Sequence, residues 1–279
     1  MSTKHSLYCK AASNIRKNIL ETVNNAGSGH IGGSFSIVEI LVALYFSEMK
    51  INISNPSWED RDRLVLSKGH ASPALYSVLA EKGFFAPELL KQFRSIDSPF
   101  SGHADMHVPG VDMSTGSLGQ GLSVAVGMAL AGKATRKEYR VFCILGDGEL
   151  EEGQIWEAAM SAGHFQLGNL VAIVDNNGLQ IDGAIQDIMS SYPIDQKFEA
   201  FNWNVICIDG HDYDQIIQSI RNAGHKKGVP TVIVAKTIKG RGVSFMENNF
   251  AWHGKPPSQD EYTKAMGELR ASDGGGAHE

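Results

Sequence analysis

The chain has 279 residues, 42% of them hydrophobic and 20% charged, a globular composition long enough for one large domain or two small ones with a full core. A net charge of −6 with no basic tract argues against nucleic acid or an anionic membrane as the main partner. The longest apolar stretch, Ile37–Phe46, carries Glu39 and is about half a membrane span, and Lys4, Lys10, Arg16 and Lys17 interrupt the first 20 residues where a signal peptide would be apolar. Cys9, Cys143 and Cys207 form no CxxC pair and no disulfide framework, so a cytoplasmic protein is expected.

In chain order, Leu7, Ala11, Ile15, Ile19 and Val23 recur every four residues and predict a helix over residues 5–26, ended by the glycine-rich run Gly27–Gly33. A second helix is predicted over Ser36–Ser47, with Ser36 as N-cap and Glu39 completing a capping box. Arg63–Ser67 reads as a strand and Ser72–Lys82 as a helix. After the loop around Pro99–Thr115 comes a helix of small residues, Gly119–Lys133. Val141–Leu145 reads as a buried strand, Glu151–Phe165 as a helix, and Leu170–Asp175 and Val205–Asp209 as strands. A helix bearing Ile216, Ile217 and Ile220 follows, then a strand over Val229–Ala235. Strands alternating with helices, and apolar runs such as VFCIL and LVAIV, predict an α/β fold: a doubly wound, mostly parallel sheet with helices on both faces. Residues 1–271 read as one domain and 272–279, SDGGGAHE, as a disordered tail.

Ligands of such sheets bind beyond the carboxyl ends of the strands. Two of these ends carry oxygen ligands: Gly146-Asp147-Gly148 after one strand, and Asn176-Asn177-Gly178 after the next, with Asp147 and Asn177 30 residues apart. A carboxylate and a carboxamide on one rim form a hard, all-oxygen pair suited to Mg²⁺ or Ca²⁺ rather than zinc. Magnesium held by two side chains keeps open positions of the kind a diphosphate fills, and flanking glycines give a backbone room to approach phosphate. Singly, Asp147 could equally cap the next helix and Asn177 take a left-handed turn. Glu149, Glu151 and Glu152 read most simply as charges matched to a helix N-terminus.

Six of the ten histidines directly follow a glycine, so that adjacency carries little information. His211 reads as a turn residue, His164 and His225 as helix-end residues, and His5, His107 and His278 as surface positions. His30, His70, His103 and His253 lie in loops, and none pairs with another of the four at HxxxH or HxxH spacing, which does not support a local zinc site. Two apparent nucleotide motifs fail on context. Gly27–Gly32 fits GxGxxG but follows a helix rather than a strand, and Gly127–Ala134 approaches a P-loop inside a helical pattern without its final Ser/Thr.

The sequence GDGELEEGQIWEAAMSAGHFQLGNLVAIVDNNGLQIDG, with Asp147 and Asn177 in the GDG…N motif of thiamine diphosphate enzymes, resembles transketolase. The resemblance runs from about residue 8 to 270, with SGHIGGS, LSKGHASPALY, FSGHADMH and AWHGKPP in the family's order. It implies the thiamine diphosphate-binding fold, with the cofactor held beside Mg²⁺ (Ca²⁺ or Mn²⁺ as alternatives) by Asp147, Asn177 and the carbonyl of Leu179. It implies that His30, His70, His103 and His253 act in catalysis, with His70 and His253 also touching the cofactor. Gly116, Ser117 and Leu118 would meet the aminopyrimidine, and Gly148 and Glu149 would join the cofactor site. The match covers only the N-terminal part of a full-length transketolase. It therefore implies the N-terminal subunit of a split enzyme of the pentose phosphate type, active with a C-terminal subunit carrying the pyrimidine-binding domain, two copies of each chain. Such an enzyme moves a two-carbon ketol unit from a ketose phosphate to an aldose phosphate. Alternatives are a 1-deoxyxylulose-5-phosphate synthase-like enzyme, a transketolase for an unusual sugar, or a non-catalytic cofactor-binding subunit.

Overall fold

The computed structural model describes residues 3–223 and 228–274. Its centre is a five-stranded, wholly parallel sheet: β1 (Arg63–Leu66), β2 (Val141–Gly146), β3 (Leu170–Asn176), β4 (Asn204–Asp209) and β5 (Thr231–Lys236), in the spatial order β1-β2-β3-β5-β4. Helix α1 spans Thr3–Ala26, α2 Gly32–Phe35, α3 Val38–Ala43, α4 Ser72–Lys82, α5 Gln120–Ala134 and α6 Gly153–His164. Short α7 (Ile185–Ile188) and α8 (Ile194–Ala200) precede β4, α9 (Tyr213–Asn222) joins β4 to β5, and α10 (Gln259–Gly274) follows.

The strands are apolar throughout because both faces are covered, and the period of two sorts their side chains. Leu64, Leu66, Phe142, Ile144, Val171, Ile173 and Ile233 point into one core, shared with α1, α3, α4, α9 and α10. Val65, Val141, Cys143, Leu145, Ala172, Val174 and Val232 point into the other, shared with α5, α6 and α8. The route from β1 through β2 and β3 to β4 places α5, α6 and α8 on the second face. The return from β4 to β5 places α9 on the first. Because every pair of strands is parallel, the loops after β1, β2, β3 and β5 lie at one edge of the sheet.

Two local expectations change. Leu7 is exposed, and the buried stripe of α1 runs through Tyr8, Ala12, Ile15, Ile19 and Val23 instead. Ser36 is not an N-cap: helix begins earlier, at Gly32, and Ser36 itself has helical dihedrals (φ −62°, ψ −28°). Its hydroxyl donates to the Asp175 carboxylate at 2.7 Å, and Glu39 is bound by Arg16 and His211 rather than by a cap. Every residue from Ile31 to Tyr45 is buried, so the polar groups of this segment find buried partners instead of capping one another. Of the expected tail, residues 272–274 continue α10; 275–279, with His278, and also His225, lie outside the described residues. No helix of the described residues is long and apolar enough to cross a membrane.

Candidate active site

The β2–β3 register pairs Gly146 with Asp175, which delivers Asp147 and Asn177 to the same edge of the sheet. Asp147 is 2% exposed; its Oδ1 accepts from the Gly148 amide at 2.9 Å and its Oδ2 from the Gly178 amide at 2.5 Å. The left-handed turn falls on Gly178 (φ +76°), so Asn177 keeps its side chain for other use. Asn177 Nδ2 donates to Asp175 Oδ2 at 2.9 Å. A carboxylate only accepts, so this bond sets which way the amide faces, and Oδ1 points the other way, accepting from the Leu179 amide at 3.1 Å.

Asp175 is the hub behind this arrangement. It is fully buried and accepts from Lys68 Nζ (2.5 Å), Ser36 Oγ (2.7 Å) and Thr237 Oγ1. Burial would raise its carboxyl pKa, but the Lys68 charge and these donors outweigh burial and hold it below the ordinary value. Asp147 lies on the opposite side of that balance: burial first, then the negative charge of Asp175, push it up to about 7. A buried carboxyl short of positive charge, an oriented amide oxygen and the nearby Leu179 carbonyl form an oxygen donor set that fits a hard divalent cation. Among the described residues no group of three or more His, Cys, Asp or Glu is placed to hold a metal ion.

The four loop histidines converge on the same cleft. Ring centroids of His30 lie 5.0 Å from His70, 5.3 Å from His253 and 6.4 Å from His103, and His70 and His253 are 5.2 Å apart. Burial, then the surrounding positive charges, lower His30 to about 4 and His253 to about 3, and hold His70 well below the usual histidine value; burial and Arg94 lower His103. Near neutral pH these are neutral imidazoles, each offering one donor and one acceptor nitrogen. Among the described residues His30 Nδ1, buried at the centre of the group, has no hydrogen-bond partner.

These residues line a cleft of about 230 Å³ that also receives Gly116, Leu118, Gly148 and Leu179. Ser117 is exposed and does not line it; it contributes backbone to the turn entering α5, its carbonyl accepting from the Gln120 amide. Glu149 borders the cleft, but its oxygens are engaged by protein: Oε1 accepts from Ser67 Oγ and the Gly119 amide, Oε2 from the Gly146 amide. It is a strut between three loops, rather than a surface charge matched to a helix. Gly119, at φ +84°, is where the chain turns into α5, and a Cβ there would sit 2.8 Å from Glu152 Cβ. His211 is more than a turn residue: it is half-buried, with Nδ1 2.9 Å from Glu39 and Nε2 accepting from the Ile238 amide.

The two lysines of the cleft, Lys68 and Lys239, each 2% exposed, escaped the sequence reading. Lys68 lies two residues beyond β1 and Lys239 three beyond β5, on the same rim of the sheet as Asp147 and Asn177. Lys239 Nζ lies 3.2 Å from the Leu179 carbonyl and 3.0 Å from His253 Nδ1. Burial, then Lys68, lower its pKa to about 8, against the opposing pull of Asp175 and Asp147.

The family described as transketolase, thiamine diphosphate binding domain, matches residues 8–271. The chain is 48% identical over 256 residues to the 6-deoxy-6-sulfo-D-fructose transketolase subunit SqwG of Clostridium sp. (strain MSTE9), covering 91% of this chain and 93% of that one. It is 41% identical over 254 residues to one of the subunits of the apulose-4-phosphate transketolase of Phocaeicola vulgatus, covering 91% and 90%. Human transketolase is 45% identical over 248 residues, but the match takes in only 39% of that longer protein. The solved Campylobacter jejuni transketolase superposes with a TM-score of 0.89 at 33% identity, covering 98% of this chain and 45% of its own. On the strength of the fold, the cleft and these matches together, the chain belongs to the transketolase family, as its thiamine diphosphate-binding domain.

Proposed function

We propose that this chain is the diphosphate-binding subunit of a two-chain transketolase and that the cleft holds thiamine diphosphate beside Mg²⁺. The observation that carries the reading is the meeting of Asp147, Asn177 and four histidines in one cleft. Asp147, Asn177 Oδ1 and the Leu179 carbonyl would hold the metal, and Gly146 and Gly148 leave room for a diphosphate. The bound cofactor supplies the carbon chemistry needed to accept and release a two-carbon ketol fragment.

This chain's own groups do the rest. Lys68 neutralises Asp175, which in turn orients Asn177. Glu149 ties the Gly116–Gly119 loop to the end of β2, keeping the cleft at one width. The uncharged histidines can exchange hydrogen bonds with sugar hydroxyls without repelling one another, each ring offering one donor and one acceptor nitrogen. The two relatives that match along most of their length are both named as subunits, which supports a separate partner chain, here one carrying the pyrimidine-binding domain, with two copies of each in the assembly. Those relatives are named for a sulfo-sugar and for apulose phosphate, so a transketolase for an unusual sugar, with donor and acceptor set mainly by the partner, is the reading to assay beside ordinary ketose and aldose phosphates.

Titration calorimetry of the chain mixed with its partner tests the proposal. Thiamine diphosphate with Mg²⁺ should give binding heat that disappears on chelation by EDTA and in Asp147→Ala. Binding that survives both treatments would refute the assignment. Ketol transfer should require both chains, and full activity of this chain alone would refute the split enzyme.

A further inference from the structure

The stem of Lys239 crosses Gly32, where an added Cβ would stand 2.9 Å from the Trp252 carbonyl and 3.0 Å from Lys239 Cγ, so glycine leaves room for the lysine stem against this backbone. The backbone is held at both sides: the Gly240 amide donates to the Gly32 carbonyl at 3.0 Å, and the Asn248 amide donates to the Lys239 carbonyl at 2.9 Å. The buried Nζ then meets two groups, the Leu179 carbonyl at 3.2 Å and His253 Nδ1 at 3.0 Å. His253 is equally fixed from its own side, in a turn whose Asn249 side chain accepts from the Ala251 amide and whose Trp252 is buried.

An ammonium has three donors and no acceptor. Facing His253 Nδ1, it can only be accepted by that nitrogen's lone pair, so the ring's single N–H is on Nε2. We infer that Lys239 is a positioning residue that locks His253 in the Nε2–H tautomer, making this histidine a hydrogen-bond donor toward the cleft and not a base. The partner such a donor suits is an oxygen bearing negative charge or a lone pair, a phosphoryl oxygen or a sugar hydroxyl. The identity of that oxygen rests on the function proposed above, whereas the tautomer is a property of this chain alone and can be read without cofactor or partner.

The test is long-range ¹H–¹⁵N correlation of the histidine rings in the purified chain at neutral pH, with His253 assigned by its loss in His253→Asn. Wild type should show Nδ1 unprotonated and Nε2 protonated. In Lys239→Met the ring should lose the lock, and both nitrogens should move toward the averaged shifts of exchanging tautomers. Lys239→Arg, which keeps a donor, should retain the wild-type pattern. A wild-type ring with its N–H on Nδ1, or wild-type shifts already averaged, would overturn the inference even if no variant folds. Shifts unchanged in a folded Lys239→Met would overturn it too. Failure of cofactor binding with the tautomer intact would count against the proposed function only.

Discussion

Replacing Lys68 with methionine keeps most of the stem's volume but removes the ammonium that faces Asp175 at 2.5 Å, with the two side chains 2% and 0% exposed. The carboxylate would keep Ser36, Thr237 and Asn177 as neutral donors and lose its only ion-pair partner described in the structure. Breaking a buried pair by deleting one member costs about 3–5 kcal/mol, because the remaining charge stays buried. With an unfolding entropy of about 2.1 cal/mol/K per residue, a chain of this length should melt roughly 5–9 °C lower. Urea unfolding of Lys68→Met, Asp175→Asn and the double variant gives the measurement. The double variant should lose less than the sum of the single losses, by more than about 1 kcal/mol. A Lys68→Met loss below about 1 kcal/mol, or strictly additive losses, would refute the claim that Lys68 is there to neutralise Asp175.

Three further outcomes follow from the geometry. Gly69→Ala should destabilise by about 1–3 kcal/mol and weaken thiamine diphosphate binding, since its Cβ would lie 2.6–2.8 Å from Thr115 and push the His70 turn off the neighbouring loop; a thermal melt and calorimetry check both. Glu149→Ala should leave the Ser67, Gly119 and Gly146 donors without their acceptor, at about 1–3 kcal/mol for each one kept from water, and should show as faster hydrogen exchange at Gly119 and Gly146. Glu39 gives a pH signature. Burial would raise its carboxyl, but Arg16 and His211 outweigh burial and hold it at about 2 against an ordinary 4.5. A folded-state value below the unfolded one stabilises above pH 4.5, by roughly 3 kcal/mol, and that stability is lost as pH falls from 4.5 through 2. Glu39→Gln should therefore flatten the acid limb of a stability–pH curve, and an unchanged limb would show that Glu39 does not carry it.

The amino-acid order alone determined the alternation of strands and helices. Each central strand is an unbroken apolar run, and helices such as α6 and α9 carry their own apolar periodicity, both of which are local properties of a few consecutive residues. It also determined that Asp147 and Asn177 share a rim, because each immediately follows a strand end and parallel strands leave the sheet on the same side. Placing His30, His70, His103 and His253 in one site needed the family motifs as well, since their spacing carries no geometry. The direction in which β1 to β5 wind, and so which loops meet, is decided by packing between segments far apart in sequence. The same is true of Ser36 and Glu39, whose spacing reads as a cap. Their partners, Asp175, Arg16 and His211, come from other elements, and burial gives those bonds more weight than a local one. Lys68, Lys239 and the inward turn of Glu149 are of this kind. A charged side chain in a loop is normally solvated, and only the folded core, by excluding water around these groups, makes each of them find a specific partner.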